Sequence, residues 1–117
     1  MKGTAMKILI LEDEPIIAID LEEIVLSNVR ADVVIAATIG EAYRCLSLGI
    51  DFALLDIRLG EGRRTSLPVA ERLRDARIPF AFISGSLELL PEDFRDVPKL
   101  AKPFTPHDVA RVLPVAA

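Results

Sequence analysis

Cysteine is almost absent from this chain, because Cys45 is the only cysteine among 117 residues. A single thiol cannot form an intramolecular disulfide, so the sequence excludes a disulfide-stabilised framework. Cys45 falls within a helical pattern, which predicts a small residue of the core or its boundary.

Long apolar runs and a leader sequence are also missing. No apolar stretch approaches the roughly 20 residues that a membrane-spanning helix needs. The segment before Lys7 is too short for a signal peptide, and we interpret residues 1–6 as an N-terminal extension of a single domain over residues 1–117. We therefore expect a cytoplasmic protein without a membrane partner.

The chain has no basic cluster. It carries 14 lysine and arginine residues against 18 aspartate and glutamate residues, a formal net charge of −4. Nucleic acids are usually bound by basic stripes or patches, so nucleic acid is not an expected partner. Repeats, low-complexity segments and interdomain linkers are missing too, and the 51% apolar content suits one globular domain with an ordinary core.

What the chain does contain is a series of short apolar strands. The predicted strands are residues 7–11, 33–37, 52–55, 79–83 and 99–101. Unbroken apolar rows such as 52–55 are typical of strands that are buried on both faces. Such strands need helices on both sides of a parallel sheet.

Helical patterns alternate with these strands. The predicted helices are residues 15–28, 39–48, 67–76 and 106–113. Ser66 and Thr105 can cap the third and the last of them, and Gly49 can end the second in the left-handed conformation. Segment 86–98 has a weak pattern interrupted by Pro91, so we expect at most a short or frayed helix there. The alternation, (βα)5, predicts an α/β fold with a doubly wound, five-stranded parallel sheet.

Polar side chains follow four of the strands. Glu12 and Asp13 come after the first strand, Asp56 after the third, Ser84 after the fourth and Lys102 after the fifth. The carboxyl ends of parallel strands share one edge of the sheet, so these groups should meet in one pocket. Three adjacent carboxylates repel unless a cation joins them, and oxygen ligands favour Mg²⁺. Asp56 stands alone on the central strand and is the predicted nucleophile for a phosphoryl group.

Four fragments at these strand ends resemble response-regulator receiver domains of two-component signalling. The resemblance is to receivers of the stand-alone, single-domain type. The fragments are Leu11-Glu12-Asp13-Glu14-Pro15, Leu54-Leu55-Asp56, Ile83-Ser84-Gly85 and Lys102-Pro103-Phe104. The resemblance extends from Lys7 to about Leu113. It implies a flavodoxin-like fold with strand order 2-1-3-4-5.

The resemblance also implies a role for the acidic residues. Asp56 would accept a phosphoryl group from a histidine kinase or a phosphotransfer protein. Asp13, Asp56 and the backbone carbonyl of Arg58 would bind Mg²⁺, and Glu12 would contribute mostly through water. Receivers catalyse only their own phosphorylation and dephosphorylation, so no further enzymatic activity is expected.

Two further residues would contact the phosphoryl group by the same resemblance. Ser84 would donate a hydrogen bond to a phosphoryl oxygen, and Lys102 would form an ion pair with the group. The Lys102–Pro103 peptide bond would be cis. In receivers the fourth helix, the fifth strand and the fifth helix form the face that changes for a downstream protein partner. We expect Lys99 and segment 86–98 to lie on that face.

The sequence departs from the receiver pattern at two positions. Glu12 stands where aspartate is commoner, which changes the reach of that carboxylate. Lys99 occupies the position of the aromatic switch residue, three before Lys102. The usual coupling of a hydroxyl residue to a tyrosine or phenylalanine therefore cannot operate unchanged.

Two other functions remain open. An aspartyl-phosphate phosphohydrolase or phosphotransferase shares the strand-end acids, but it normally carries a second aspartate where this chain has Arg58. An atypical pseudo-receiver would bind protein partners without phosphorylation, and Lys99 at the switch position is the observation that motivates this hypothesis.

Overall fold

A computed structural model describes residues 5–60 and 64–114. The strands are β1 (Met6–Leu11), β2 (Ala31–Ala36), β3 (Phe52–Leu55), β4 (Phe80–Ser84) and β5 (Lys99–Ala101). The helices are α1 (Pro15–Asn28), α2 (Ile39–Ser47), α3 (Leu67–Asp75) and α4 (Pro106–Val112). All neighbouring strands pair in parallel in the order β2-β1-β3-β4-β5, which confirms the predicted doubly wound arrangement.

The sheet is buried on both faces. Successive side chains of a strand point to opposite faces, and β1 shows this alternation clearly. Ile8 and Ile10 lie in an apolar cluster with residues of α1 and α4, whereas Leu9 and Leu11 lie in a second cluster with residues of α2 and α3. Two helical layers therefore cover one sheet, which explains why its central strand β3 consists entirely of apolar residues.

The edge strand β2 was predicted least well. It spans Ala31–Ala36 rather than residues 33–37, because its register with β1 begins at the pair Met6 and Ala31. Val34 and Ile35 are partly exposed, as expected for a strand at the sheet's edge. Strand β1 begins at Met6, one residue earlier than predicted, and residues 1–4 of the predicted N-terminal extension lie outside the described residues.

Two of the three predicted helix caps are present. Gly49 has a φ of +94°, the left-handed conformation predicted after α2. Thr105 accepts a hydrogen bond from the Asp108 N–H at 3.1 Å, and the Asp108 carboxylate accepts one from the Thr105 N–H. The Ser66 cap is wrong: its side chain makes no capping hydrogen bond, because its φ of −86° and ψ of 3° differ from the extended backbone that such a cap requires.

Segment 86–98 contains two 3₁₀ turns, Leu87–Leu89 and Glu92–Phe94, in place of a fourth crossover α-helix. This agrees with its poor helical pattern. The buried Phe94 ring anchors the segment, since it meets Phe80 and Phe82 edge to face at centroid distances of 6.3 and 5.7 Å. Leu87, Leu90 and Val97 pack against the same core cluster as Phe94, so the segment is attached to the sheet by its apolar side chains.

Within residues 5–60 and 64–114, no helix has the length and apolar character needed to cross a membrane.

Candidate functional site

The register of β1 and β3 brings two predicted site residues together. Leu11 pairs with Leu55, so Glu12 and Asp56 are neighbours just beyond the strand ends. The Asp56 N–H donates to the Leu11 carbonyl at 2.9 Å, which extends the ladder into the site. Strand pairing therefore sets the position of the Asp56 backbone independently of the contacts that its side chain makes.

The register of β4 and β5 adds two more predicted residues. Ser84 pairs with Ala101, and the Lys102 N–H donates to the Ser84 carbonyl at 3.1 Å. The Lys102–Pro103 peptide bond is cis, as the resemblance implied. All five predicted side chains thus lie at the carboxyl edge of the sheet.

The acidic side chains form one cluster. Carboxylate oxygens of Glu12, Asp13 and Asp56 lie within 4.8 Å of one another. Glu12 is 2% exposed and Asp56 is 7% exposed, so water screens their mutual repulsion weakly. A set of oxygen ligands with this charge suits a hard divalent cation, and the donor chemistry fits Mg²⁺.

The Lys102 ammonium is shared between two of these acids. Its Nζ lies 2.7 Å from Glu12 Oε1 and 3.0 Å from Asp56 Oδ2. One positive charge therefore faces two buried carboxylates, and Oδ1 of Asp56 stays outside this hydrogen bond.

Burial and the hydrogen bonds within the cluster act in opposite directions on the pKa of Glu12 and on that of Lys102. Burial raises the pKa of Glu12 to about 7, and the charge of Asp56 adds to the effect, although the hydrogen bond from Lys102 opposes it. Burial alone would lower the pKa of Lys102, but hydrogen bonds to Glu12 and Asp56 outweigh burial and raise it. Lys102 is therefore a permanent cation here, whereas Glu12 changes charge near neutral pH.

Arg58, two residues after Asp56, is held in a backbone bridge beside the site. Arg58 lies opposite Thr65 in an antiparallel bridge, flanked by hydrogen bonds from the Leu59 N–H to the Arg64 carbonyl and from the Ser66 N–H to the Ile57 carbonyl. In such a pair the carbonyl of the central residue points away from the partner segment. Arg58 lines the same cavity as Asp56, and its carbonyl as a metal ligand stays a prediction.

Ser84 is buried, and its hydroxyl oxygen accepts a hydrogen bond from the Ser86 N–H at 3.0 Å. A hydroxyl can accept and donate at the same time, so this contact leaves Ser84 able to donate its proton to an anion. The Ser86 contact joins the site directly to the start of segment 86–98.

A cavity of about 250 Å³ connects these groups. Its lining residues are Asp13, Glu14, Asp56, Arg58, Gly60, Ser84, Gly85, Ser86 and Lys102. The volume is sufficient for a phosphoryl group with a hydrated cation. Glu12 is not among the lining residues, but it accepts a hydrogen bond from Lys102, which lines the cavity.

Sequence reasoning missed two backbone donors of the site. The Gly60 N–H donates to Asp13 Oδ2 at 2.7 Å, and the Ser86 N–H donates to Ser84. Every residue except proline carries such an N–H, so residue type gives no signal for either contact.

No protein-family model matches the chain. Among curated proteins, the chain is 34% identical over 113 residues to the phyllosphere-induced regulator PhyR of Methylorubrum extorquens. The match covers 93% of this chain and 42% of PhyR, so the chain spans less than half the length of that relative.

Solved structures match along nearly the whole chain. SdrG from Sphingomonas melonis Fr1 is 38% identical, with 95% of each chain covered and a TM-score of 0.78. The BeF3-activated conformation of SdrG from Pseudomonas melonis Fr1 is 39% identical, with 94% of each chain covered and a TM-score of 0.70.

Two further solved structures are of a receiver protein and of an anti-anti-sigma factor. A response regulator receiver protein from Sinorhizobium medicae is 28% identical, with 92% of this chain and 94% of that chain covered and a TM-score of 0.74. The anti-anti-sigma factor PhyR from Bartonella quintana is 34% identical, with a TM-score of 0.77. That match covers 95% of this chain and 48% of PhyR.

Proposed function

This chain belongs to the family of response-regulator receiver domains, and we propose that it is a phospho-accepting switch in which Asp56 is the phosphorylated residue. The phosphoryl donor is a histidine kinase or a phosphotransfer protein, and the output is a change in binding to a downstream protein. The observation that carries the proposal is the shared environment of Asp56. A buried carboxylate at a central strand end is surrounded by two further acids, an ammonium and a hydroxyl.

The acids supply a site for Mg²⁺. Asp13, Asp56 and the Arg58 carbonyl would hold the ion directly, and Glu12 would act mostly through water. When bound, Mg²⁺ neutralises charge on the phosphoryl oxygens and on the carboxylates during transfer. Asp56 keeps one oxygen outside its hydrogen bond with Lys102, and that oxygen is the nucleophile.

The transfer step exchanges one bond to phosphorus for another. A bond forms between Asp56 Oδ1 and phosphorus as the bond from phosphorus to the donor's histidine nitrogen breaks, and the nitrogen keeps the electron pair. Lys102 then pairs with a phosphoryl oxygen, and Ser84 donates its hydroxyl proton to another. Both groups are already at the cavity, so neither has to cross the molecule.

A donor protein has a suitable surface beside the cavity. Helix α1 begins immediately after Glu14, which lines the cavity, and its first turns expose Ile16 and Ile19 by 83% and 54%. The acidic side chains of Asp20 and Glu23 lie close by on the same helix. We propose that an apolar helix with basic flanks docks here and carries the phosphohistidine to Asp56.

The signal leaves the site through Ser84. When Ser84 turns toward a phosphoryl group, its hydrogen bond with the Ser86 N–H changes, and segment 86–98 starts at that residue. Segment 86–98, β5 and α4 form one face, and phosphorylation shifts the populations of its conformations. A protein partner then binds one of these conformations more tightly than the other. The anti-anti-sigma description of Bartonella PhyR makes an anti-sigma factor one chemically reasonable partner.

We propose no further enzymatic activity and a cytoplasmic location, where such kinases transfer phosphoryl groups. Arg58 supports the first point, because a phosphohydrolase of the aspartyl-phosphate type needs an acid at that position. Slow loss of the phosphoryl group from Asp56 itself is the only hydrolysis expected.

The test is amide NMR of the whole chain, first with Mg²⁺ and then with beryllofluoride, which mimics a phosphoryl group on aspartate. We expect Mg²⁺ to shift Asp13 and its neighbours, and beryllofluoride to shift Asp56, Ser84 and segment 86–98. Asp56→Asn is the matched control, and it should show no beryllofluoride response.

Two results would contradict the proposal. The protein would be a pseudo-receiver if the wild type showed no response to beryllofluoride and if the wild type and Asp56→Asn bound its partners equally well. Turnover of small phosphate esters, lost in Asp56→Asn, would instead identify a phosphohydrolase.

A further inference from the structure

The loop that follows Asp56 is held by backbone contacts at its base. Arg58 and Thr65 form an antiparallel bridge, with flanking hydrogen bonds of 3.0 Å from Leu59 to Arg64 and 2.8 Å from Ser66 to Ile57. The base of the loop thus has a fixed geometry next to the carboxylate cluster.

Gly60 lies just beyond this base in a restricted conformation. Its φ is +69°, in the left-handed region that residues with a side chain rarely adopt. A Cβ atom at this position would meet no heavy atom within 4 Å, so the requirement for glycine is conformational and not steric. The Gly60 N–H donates to Asp13 Oδ2 at 2.7 Å, and the two residues are 47 positions apart in the chain.

We propose that Gly60 is the positioning residue of the metal site. Its N–H fixes one oxygen of Asp13 and leaves the other, Oδ1, to bind the cation. This inference rests on the proposed function, because it assigns to Gly60 the orientation of a carboxylate that would bind Mg²⁺.

The loop thereby sets two parts of the site at once. Arg58 lines the cavity, and Gly60, two residues later, supplies the N–H that donates to Asp13. Asp13 is only half-buried. Hydrogen bonds to the non-ligating atoms of a metal ligand commonly change metal affinity by about 10- to 100-fold.

The test compares substitutions at Gly60 and at Gly49, two glycines with a positive φ. Gly60→Ala should weaken Mg²⁺ binding by about 10-fold or more, because alanine disfavours the left-handed conformation, and the backbone shift that relieves this strain displaces the N–H from Asp13. Gly60→Asn should bind Mg²⁺ nearly as well as the wild type, because asparagine tolerates that conformation. Gly49→Ala is the control: Gly49 has a φ of +94°, equally open space and no contact with the site.

The readouts are the Mg²⁺ dissociation constant from amide NMR and the melting temperature without metal. We expect both alanine variants to lose stability and only Gly60→Ala to lose Mg²⁺ affinity. Unchanged affinity in Gly60→Ala overturns the inference and leaves the proposed function intact. Equal loss in Gly60→Asn overturns it as well, because any side chain would then be harmful. If the wild-type protein binds no Mg²⁺, both the proposed metal site and this inference are wrong.

Discussion

Glu12 has two opposing neighbours in the site. It is nearly inaccessible to water, it approaches the Asp56 carboxylate, and it accepts a hydrogen bond from Lys102 at 2.7 Å. The ammonium can neutralise only one of the two acids it contacts. As a result, the site favours a proton on Glu12 when no divalent cation is present.

This protonation predicts how stability depends on pH. The pKa of Glu12 rises from 4.5 to about 7 on folding, so within that window the folded protein keeps a proton that the unfolded chain loses. The free energy of unfolding should therefore fall as pH rises through the window, by about 3 kcal/mol at most, and this contribution should be constant at higher pH.

The measurement is urea unfolding without Mg²⁺, between about pH 5 and about pH 8, for the wild type and Glu12→Gln. Glutamine keeps an oxygen acceptor for Lys102 but does not titrate. Wild-type stability should fall relative to Glu12→Gln as pH rises. A constant difference between the two proteins would show that Glu12 has the same affinity for its proton in both states.

At the scale of secondary structure elements, segment 86–98 differs most from a regular (βα) repeat. It crosses from β4 to β5 through two 3₁₀ turns, and Phe94 is its buried residue. Lys99, at the position of the aromatic switch residue, contacts this segment directly. Its Nζ donates to the carbonyls of Arg95 and Val97 at 2.8 and 2.7 Å.

Lys99 should therefore hold the end of this segment against β5. Lys99→Met keeps most of the aliphatic stem but removes both charge-assisted hydrogen bonds, so we expect a loss of about 1–2 kcal/mol in the free energy of unfolding. Amide hydrogen exchange should become faster between Phe94 and Pro98, and remain unchanged in β1 and β3.

Arg95→Ala is the matched control for Lys99→Met. It removes an exposed ion pair with Glu92 but keeps the Arg95 carbonyl, so its cost should be about 0.5 kcal/mol or less. If both variants accelerate exchange equally, the ammonium contacts of Lys99 do not hold the segment.

For the molecule as a whole, the carboxylate cluster links the ends of β1 and β3 in the middle of the sheet. Repulsion among these acids opposes folding, and a divalent cation that binds only the folded state relieves it. Metal binding should therefore stabilise the entire domain, including strands that do not touch the site.

We expect Mg²⁺ at about 100 times its dissociation constant to add about 2.7 kcal/mol to the free energy of unfolding, which corresponds to roughly 10 °C in melting temperature for a domain of this size. Asp13→Asn should abolish most of this gain while keeping an oxygen for the Gly60 N–H. Thermal unfolding by circular dichroism, with and without Mg²⁺, gives the comparison. An equal rise in Asp13→Asn would place the ion elsewhere.

Much of the fold and of the site could be predicted because both are encoded locally. The apolar row Phe52–Leu55 indicates a strand buried on both faces, and the residue directly after it must lie at the sheet's carboxyl edge. The same reasoning placed Glu12 and Lys102 at that edge, where the structure joins them at 2.7 Å. Ser66 shows the limit, because a favourable residue type did not ensure the backbone angles of a cap.

The sequence by itself determined the parallel sheet, the edge at which its polar residues gather, and the weak helical character of segment 86–98, since all three depend on residue types and their spacing. Only the tertiary structure decided that Lys102 is shared by Glu12 and Asp56, that the Gly60 N–H donates to Asp13, and that Lys99 binds two carbonyls. The first two of these contacts join residues far apart in the chain, and the last two use backbone groups that every residue carries. Their formation therefore depends on how the elements pack, which residue types alone do not encode.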